Sequence, residues 1–344
     1  MDEVSHPVPT SNMATITEII DFAPESSQEF TAKRDETLLH HKPASPKGFK
    51  AWRELEPLAV VHLSQACIPA KFAPPRDVFG GDFLRLEWQQ MNNNRQPFYH
   101  RNADVDEISY QVSGERTLMT EIGTVELRPG DFSRIPVGIA HDNYGREEVH
   151  LLFYIHGPVE ECGDVCDKSM HKDLPFDGWQ PSHCTEVLTE CLGAAECEIA
   201  VSLTDEALLL RAPLEAASGM PAALNVQRHG EELSSQWLYK SESVWIGSFK
   251  QSKTRGDIYR RRIRADTIQY QISGKRTLVS QRGVVELNPG DFVCIPKGCA
   301  YTNAVASAST HLEVLTSKPT PLKMVPSERA NPVSIEAIRN IREA

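Results

Sequence analysis

The strongest constraint on this chain is that it contains one segment twice. Residues 98–143, FYHRNADVDEISYQVSGERTLMTEIGTVELRPGDFSRIPVGIAHDN, align without a gap onto residues 258–303, IYRRRIRADTIQYQISGKRTLVSQRGVVELNPGDFVCIPKGCAYTN, at an offset of 160. About half the positions are identical, which marks duplication of one structural unit. The shared residues are turn formers and apolar strand positions: Gly114/Gly274, Gly123/Gly283, Pro129-Gly130/Pro289-Gly290, Pro136/Pro296 and Gly138/Gly298. Glycine and proline punctuate strands in this way. Short strand-like runs at regular spacing predict an antiparallel sandwich or barrel rather than an α/β sheet. At 344 residues the chain exceeds what one core usually organises, so two such domains are expected.

The copies differ where chemistry would sit. The first carries His100 seven residues before Glu107, and His141 follows a strand–turn–strand segment that could fold back over both. Two histidines and one carboxylate with open coordination positions form the facial triad that suits non-haem Fe(II) and dioxygen. In the second copy His100 becomes Arg260, Asn102 becomes Arg262, Glu107 becomes Thr267 and His141 becomes Tyr301. Arginine cannot ligate a metal, so the second copy is expected to be metal-free and the first to be the candidate active site. The plainer alternative is three unrelated surface or turn residues. Strand alternation adds that if Glu107 points into a barrel, Ser109 and Gln111 do too, while Ile108, Tyr110 and Val112 face the other way.

The order of these residues resembles the two motifs of the cupin superfamily. His-x-His-x4-Glu-x6-Gly is matched by His100, Glu107 and Gly114, with Asn102 in the place of the second histidine. Gly-x5-Pro-x-Gly-x2-His is matched in full by Gly130, Pro136, Gly138 and His141. The wording HRNAD, DE, GDF and IPVGIAH is also similar to the homogentisate 1,2-dioxygenase type of ring-cleaving bicupin. The resemblance implies an all-β bicupin: two tandem antiparallel, jelly-roll-like β-barrels with short flanking helices. It further implies one Fe(II) held by His100, Glu107 and His141, with O2 and a small dihydroxylated aromatic molecule as substrates. Alternatives are a metal-dependent isomerase or decarboxylase using the same ligands as a Lewis-acid site, and a non-enzymatic small-molecule-binding bicupin.

Further candidates surround the triad. Asn102 is either a weak ligand or an orienting group for water or substrate, or a turn residue in Asn-Ala-Asp. His150, Tyr154 and His156 share one face of a strand, so His150 or Tyr154 is a candidate acid–base or substrate-orienting group. The plainer reading of that strand is a polar face that meets solvent. Arg260, Arg262 and Arg264 fall on one face of a basic run that includes Arg261. That face either holds a carboxylate inside the degenerate barrel or, the preferred reading, is solvated or ion-paired between domains. Asp104 and Asp106 read as turn formers. The eight cysteines (67, 162, 166, 184, 191, 197, 294 and 299) lack the paired spacing of a zinc site and read mostly as reduced, packed thiols.

A formal charge of −11 argues against nucleic acid. No window approaches eighteen uncharged apolar residues, so no membrane span is expected. The acidic N-terminus lacks a secretory pattern, from which a cytoplasmic location is expected; a homo-oligomer is a further possibility. Along the chain the expected divisions are an arm with one short helix (1–45), a first barrel (46–156), a linker (157–185), a second barrel (186–320) and a tail with a terminal helix (321–344). Strands are expected at Leu58–Leu63, Phe83–Trp88, Ala207–Arg211 and Val244–Phe249.

Overall fold

The duplicated glycines set the same turns in both copies. Gly114 and Gly274 lie at φ of 65° and 68°. A Cβ on Gly114 would meet the Glu147 carbonyl oxygen at 2.5 Å, and one on Gly274 the Ala308 carbonyl oxygen at 2.3 Å. Both the left-handed conformation and the close backbone approach require glycine. The computed structural model describes residues 15–21, 29–41, 55–70, 73–192, 197–210 and 223–343. The chain is all-β with short helices, as the duplicated strand pattern implies.

Equivalent strands pair in the same register. In the first copy Phe132, Ser133, Arg134 and Ile135 face Tyr110, Ser109, Ile108 and Glu107. In the second, Phe292, Val293, Cys294 and Ile295 face Tyr270, Gln269, Ile268 and Thr267. The aromatic pairs that this register stacks, Tyr110–Phe132 and Tyr270–Phe292, have centroids 4.6 and 4.5 Å apart. Apolar clusters also correspond: Leu118, Val125, Leu127 and Ile135 in one, Leu278, Val285, Leu287 and Ile295 in the other. Because a one-residue slip would turn every side chain to the wrong face, this shared register carries the barrel pattern from copy to copy.

Two compact units result, each discontinuous in sequence. One comprises Leu63–Ser248 and Glu313–Val325; the other comprises the described residues of Met1–His62, Phe249–Leu312 and Pro326–Ala344. In the first, the long strands Val105–Thr120 and His141–His156 fold a single sheet over itself. Val105–Ser113 lies against Val149–His156 and Asp131–Ile135, whereas Arg116–Thr120 lies against Gly123–Leu127 and His141–Gly145. In the second unit one sheet runs Glu29–Asp35, Thr15–Asp21, Ile258–Arg262, Ala300–Ala304, Arg276–Ser280, Gly283–Leu287, and another contains Asp266–Ser273, Asp291–Ile295, Ala59–His62 and Glu328–Arg329.

A second duplicated element accounts for this division. Strands Thr15–Asp21 and Glu29–Asp35 lead into helix Glu36–His40, and strands His183–Glu190 and Cys197–Asp205 lead into helix Glu206–Leu210. The sequences at the helix starts, DETLL (35–39) and DEALL (205–209), match. Each hairpin runs its first strand parallel to a repeat copy, with Asp21 opposite Arg262 and Thr189 opposite Asn102. The hairpin that precedes the first copy in sequence therefore docks on the second copy, and the hairpin between the copies docks on the first.

Several expected elements take another form. The 1–45 arm contributes two strands as well as its short helix. The 157–185 stretch carries strands Glu160–Glu161 and Val165–Lys168 and the start of His183–Glu190. The apolar run beginning at Ala207 is helical rather than extended. Its cause is the cap: Asp205 Oδ1 accepts from the backbone N–H groups of Ala207 (2.9 Å) and Leu208 (3.2 Å), satisfying donors that a helix start leaves open. The terminal helix spans Ile335–Glu343, and no helix among the described residues is long and apolar enough to cross a membrane.

Candidate metal centre

Pairing in the first unit places three candidate ligands side by side. His141 begins its strand directly opposite His100, and Glu107 sits on the strand that pairs with the other side of the His141 strand, opposite Tyr154 on one side and Ile135 on the other. The imidazole centroids are 5.3 Å apart, and His141 Nε2 lies 3.2 Å from Glu107 Oε2. One donor atom from each of His100, Glu107 and His141 lies within 4.8 Å of the others. Among the described residues this is the group of such donors gathered closely enough to hold an ion. His141 Nδ1 lies 3.1 Å from the Ile139 carbonyl oxygen; with Nδ1–H donating there, Nε2 on the Glu107 side is the nitrogen that would offer its lone pair once the ring loses its second proton.

Electrostatics put two of the three in ligand-ready form. Burial drives the His100 pKa down to about 4, with help from the neighbouring His141, so the ring is neutral at pH 7. Burial alone would raise Glu107, but His141, His100 and the Asn102 amide together outweigh it and hold the carboxyl at about 2. His141 is the exception: burial lowers its pKa, but Glu107 outweighs that and raises it above the usual value. Two imidazole nitrogens and one buried carboxylate oxygen are a donor set that fits a divalent transition ion.

Asn102 is a buried part of this cluster and not a surface turn residue. Its Nδ2 donates to Glu107 Oε2 at 3.0 Å, and its Oδ1 accepts from Cys191 Sγ at 2.9 Å. Cys191 Sγ also lies 3.9 Å from His100 Nε2, and Thr189 Oγ1 forms a short hydrogen bond with that same nitrogen. Both residues arrive on the docked hairpin. Asp104 secures its end by accepting from the N–H groups of Cys191 and Leu192, each at 2.8 Å. Arg101 clamps its side through Glu186 (2.6 Å) and Glu121 (2.8 Å) and bonds the Gly138 carbonyl of the turn before His141. Asp106, inside strand Val105–Thr120, accepts from Val137 N–H, Val159 N–H and Arg134, so both aspartates tie distant backbone segments together instead of forming local turns.

The strand that reads most plainly as solvent-facing is instead buried at His150 and Tyr154, and only His156 is exposed. Tyr154 stands directly opposite Glu107 on the paired strand, so this polar face is the Glu107 face of the sheet. Arg85, Tyr154 and Glu107 form one cross-strand row, with the Arg85 guanidinium 4.4 Å above the Tyr154 ring and 3.0 Å from Glu87. Burial pushes the Glu87 carboxyl up to about 7 despite Arg85. Further along the barrel His150 Nδ1 meets Glu148 at 2.9 Å, and Gln111 Nε2 donates to Glu148 at 2.7 Å.

In the second unit the corresponding positions are closed by ion pairs. Arg262 pairs with Asp21 at 2.6 Å, and Arg260 lies 3.6 Å from Asp21 and 3.5 Å from Glu29. Arg261 repeats the clamp of Arg101, meeting Glu18 at 2.7 Å and the Gly298 carbonyl oxygen. Arg260, Arg261 and Arg262 are thus ion-paired with the docked hairpin of their own unit, while Arg264 is exposed. Tyr301 packs into an apolar cluster with Val60, Leu278 and Ile295. Among the cysteines, Cys191 and Cys299 are buried, while Cys162 and Cys166 are exposed rather than packed.

No protein-family model matches the chain, and no curated protein sequence matches it. Solved structures do. A cupin 2 conserved barrel domain protein from Leptotrichia buccalis is similar over 76% of this chain and 98% of its own, at 9% identity and a TM-score of 0.46. Oxalate decarboxylase from Bacillus subtilis, studied for its Mn(II) centres, is similar over 78% and 81% at 11% identity, with a TM-score of 0.44. A mutant of salicylate 1,2-dioxygenase from Pseudoaminobacter salicylatoxidans is similar over 70% and 75% at 10% identity, with a TM-score of 0.43. Function has to be argued from the residues of this chain.

Proposed function

We propose that the chain is a metal-dependent enzyme that cleaves an electron-rich, dihydroxylated aromatic ring with O2, using Fe(II) held by His100, Glu107 and His141. The observation that carries this reading is the gathering of two imidazoles and one carboxylate within 4.8 Å, inside a barrel whose repeat holds arginines, threonine and tyrosine instead. The chemistry such an ion supplies is activation of dioxygen at positions the three protein donors leave open. The protein's share is positioning and proton control. Asn102 holds Glu107 Oε2, and the Ile139 carbonyl orients His141. Arg85 brings a positive charge beside Tyr154, where a phenolate or carboxylate of the substrate would be drawn. Glu87, with its pKa near neutrality, can take up the phenolic proton. Val105, Leu152 and Leu192 pack around Tyr154 and Cys191 and keep water from this wall.

Glu87 also favours a second reading, an isomerase or decarboxylase on the same donors, because a carboxyl poised near pH 7 serves proton transfer with or without oxygen. Anaerobic Fe(II) loading followed by O2-uptake measurements with dihydroxylated aromatic acids separates the two. The first reading expects O2 uptake coupled to loss of aromatic absorbance, absent in Glu107→Ala. Substrate conversion without O2 uptake would support the second, and binding without conversion would leave a non-catalytic binding protein.

A further inference from the structure

The docked hairpin brings a soft donor to the edge of the His–Glu–His group, and we infer that Cys191 joins it as a thiolate ligand when the ion binds. The inference rests on the metal centre proposed above but not on its oxygen chemistry. Cys191 cannot drift freely: its backbone N–H and that of Leu192 are held by the two carboxylate oxygens of Asp104, and Ala103 N–H donates to the Thr189 carbonyl oxygen at 2.9 Å. Its side chain is buried, with Sγ 3.9 Å from His100 Nε2. A thiolate and an imidazole on one ion, at about 2.3 Å and about 2.0–2.1 Å, stand roughly 3–4 Å apart. The observed separation from His100 already falls in that range, and since Cys191 is not among the donors gathered within 4.8 Å, its side chain would turn toward Glu107 and His141 when the ion binds.

The rest of the contact points the same way. The thiol donates to Asn102 Oδ1 at 2.9 Å, and the same amide donates to Glu107, so sulfur and carboxylate are tied through one small side chain. Thr189, the other hairpin residue at His100, offers a hydroxyl, a far poorer donor than a thiolate for a late first-row ion. On coordination the S–H bond breaks, its proton leaves toward solvent, a metal–sulfur bond forms, and Asn102 Oδ1 loses its hydrogen bond. No electrons change hands. A thiolate would bias the centre toward Fe(II), Co(II) or Zn(II) over Mg(II) or Mn(II). It would also make metal affinity depend on a hairpin that belongs, by sequence, to the other repeat.

The probe is Co(II), added anaerobically to the full-length metal-free protein and read by absorption spectroscopy, with no turnover involved. The wild type is expected to show a near-ultraviolet thiolate-to-Co(II) charge-transfer band beside weaker visible ligand-field bands. Cys191→Ser and Cys191→Ala should keep the visible bands and lose the near-ultraviolet one, and Cys166→Ser should keep both. Visible bands without the near-ultraviolet band in the wild type would overturn the inference and leave the metal centre standing. A near-ultraviolet band that survives in Cys191→Ala would assign it to another thiol and overturn the inference equally. Absence of any Co(II) uptake would remove both the inference and the centre beneath it.

Discussion

At the scale of single residues, His141 and Glu107 stabilise each other in the metal-free protein through a buried contact that an ion would have to break. Their titrations have opposite signs. Glu107 is held down to about 2, so its contribution is present above the ordinary carboxylate pKa and is lost as pH falls toward 2. His141 is raised, so its contribution is full below the ordinary histidine value and fades as pH rises through the folded-state value. His100, lowered to about 4, resists a proton that the unfolded chain accepts, and it costs stability as pH falls from 6.5 toward 4. Since a ligating imidazole must be deprotonated, the His141 proton alone should make metal affinity rise by up to about tenfold per pH unit above the ordinary histidine value, until that ring is neutral. Metal-competition titrations across that range check this, and a flat profile would contradict it. Asn102→Ala should weaken metal binding by about 10–100-fold, the usual cost of losing a partner that orients a ligand; unchanged affinity would return Asn102 to a turn role. The triad is legible in the sequence because the second copy keeps the turn residues and many apolar strand positions around it and loses all three of those side chains. Thr189 and Cys191 are not legible, since Thr189 lies 89 residues beyond His100 and reaches it only through parallel strand pairing.

At the scale of elements, the two docked hairpins are held by the same device and differ in what they deliver. Glu206 accepts from the Tyr99 hydroxyl at 3.0 Å and pairs with Arg95; Glu36 accepts from the Tyr259 hydroxyl at 2.7 Å and pairs with Arg342. Each anchor is buried at the first position of its helix. Glu206→Gln and Glu36→Gln should each cost roughly 1.5–3 kcal/mol of stability, the scale of a hydrogen bond to a charged group. Only Glu206→Gln should also weaken metal binding, because only its hairpin carries residues to the centre. Thermal denaturation with parallel metal titrations tests the contrast, and equal effects on metal affinity would contradict it. These hairpins escape a reading by repeats because the matching run, DETLL and DEALL, is short. An apolar Leu-Leu-Leu run also reads as strand until the Asp205 cap is taken into account.

At the scale of the whole molecule, a duplicated barrel has kept its turns and core in both copies and the His–Glu–His group in one. The barrel pattern is legible because turn glycines and alternating apolar positions are local features that survive duplication. The assembly of the two compact units is not, because each takes its hairpin from the other repeat, and no local pattern records that exchange. In the second unit Arg262, at the position equivalent to Asn102, forms an ion pair with Asp21. Asp21→Asn should therefore destabilise the protein without changing its metal content, and Thr267→Ala should be close to neutral. The most direct test of the central claim is metal stoichiometry after reconstitution with Fe(II) under anaerobic conditions. The expected result is one ion per chain in the wild type and in Asp21→Asn, and none in Glu107→Ala. Two ions per chain, or an ion retained in Glu107→Ala, would contradict it.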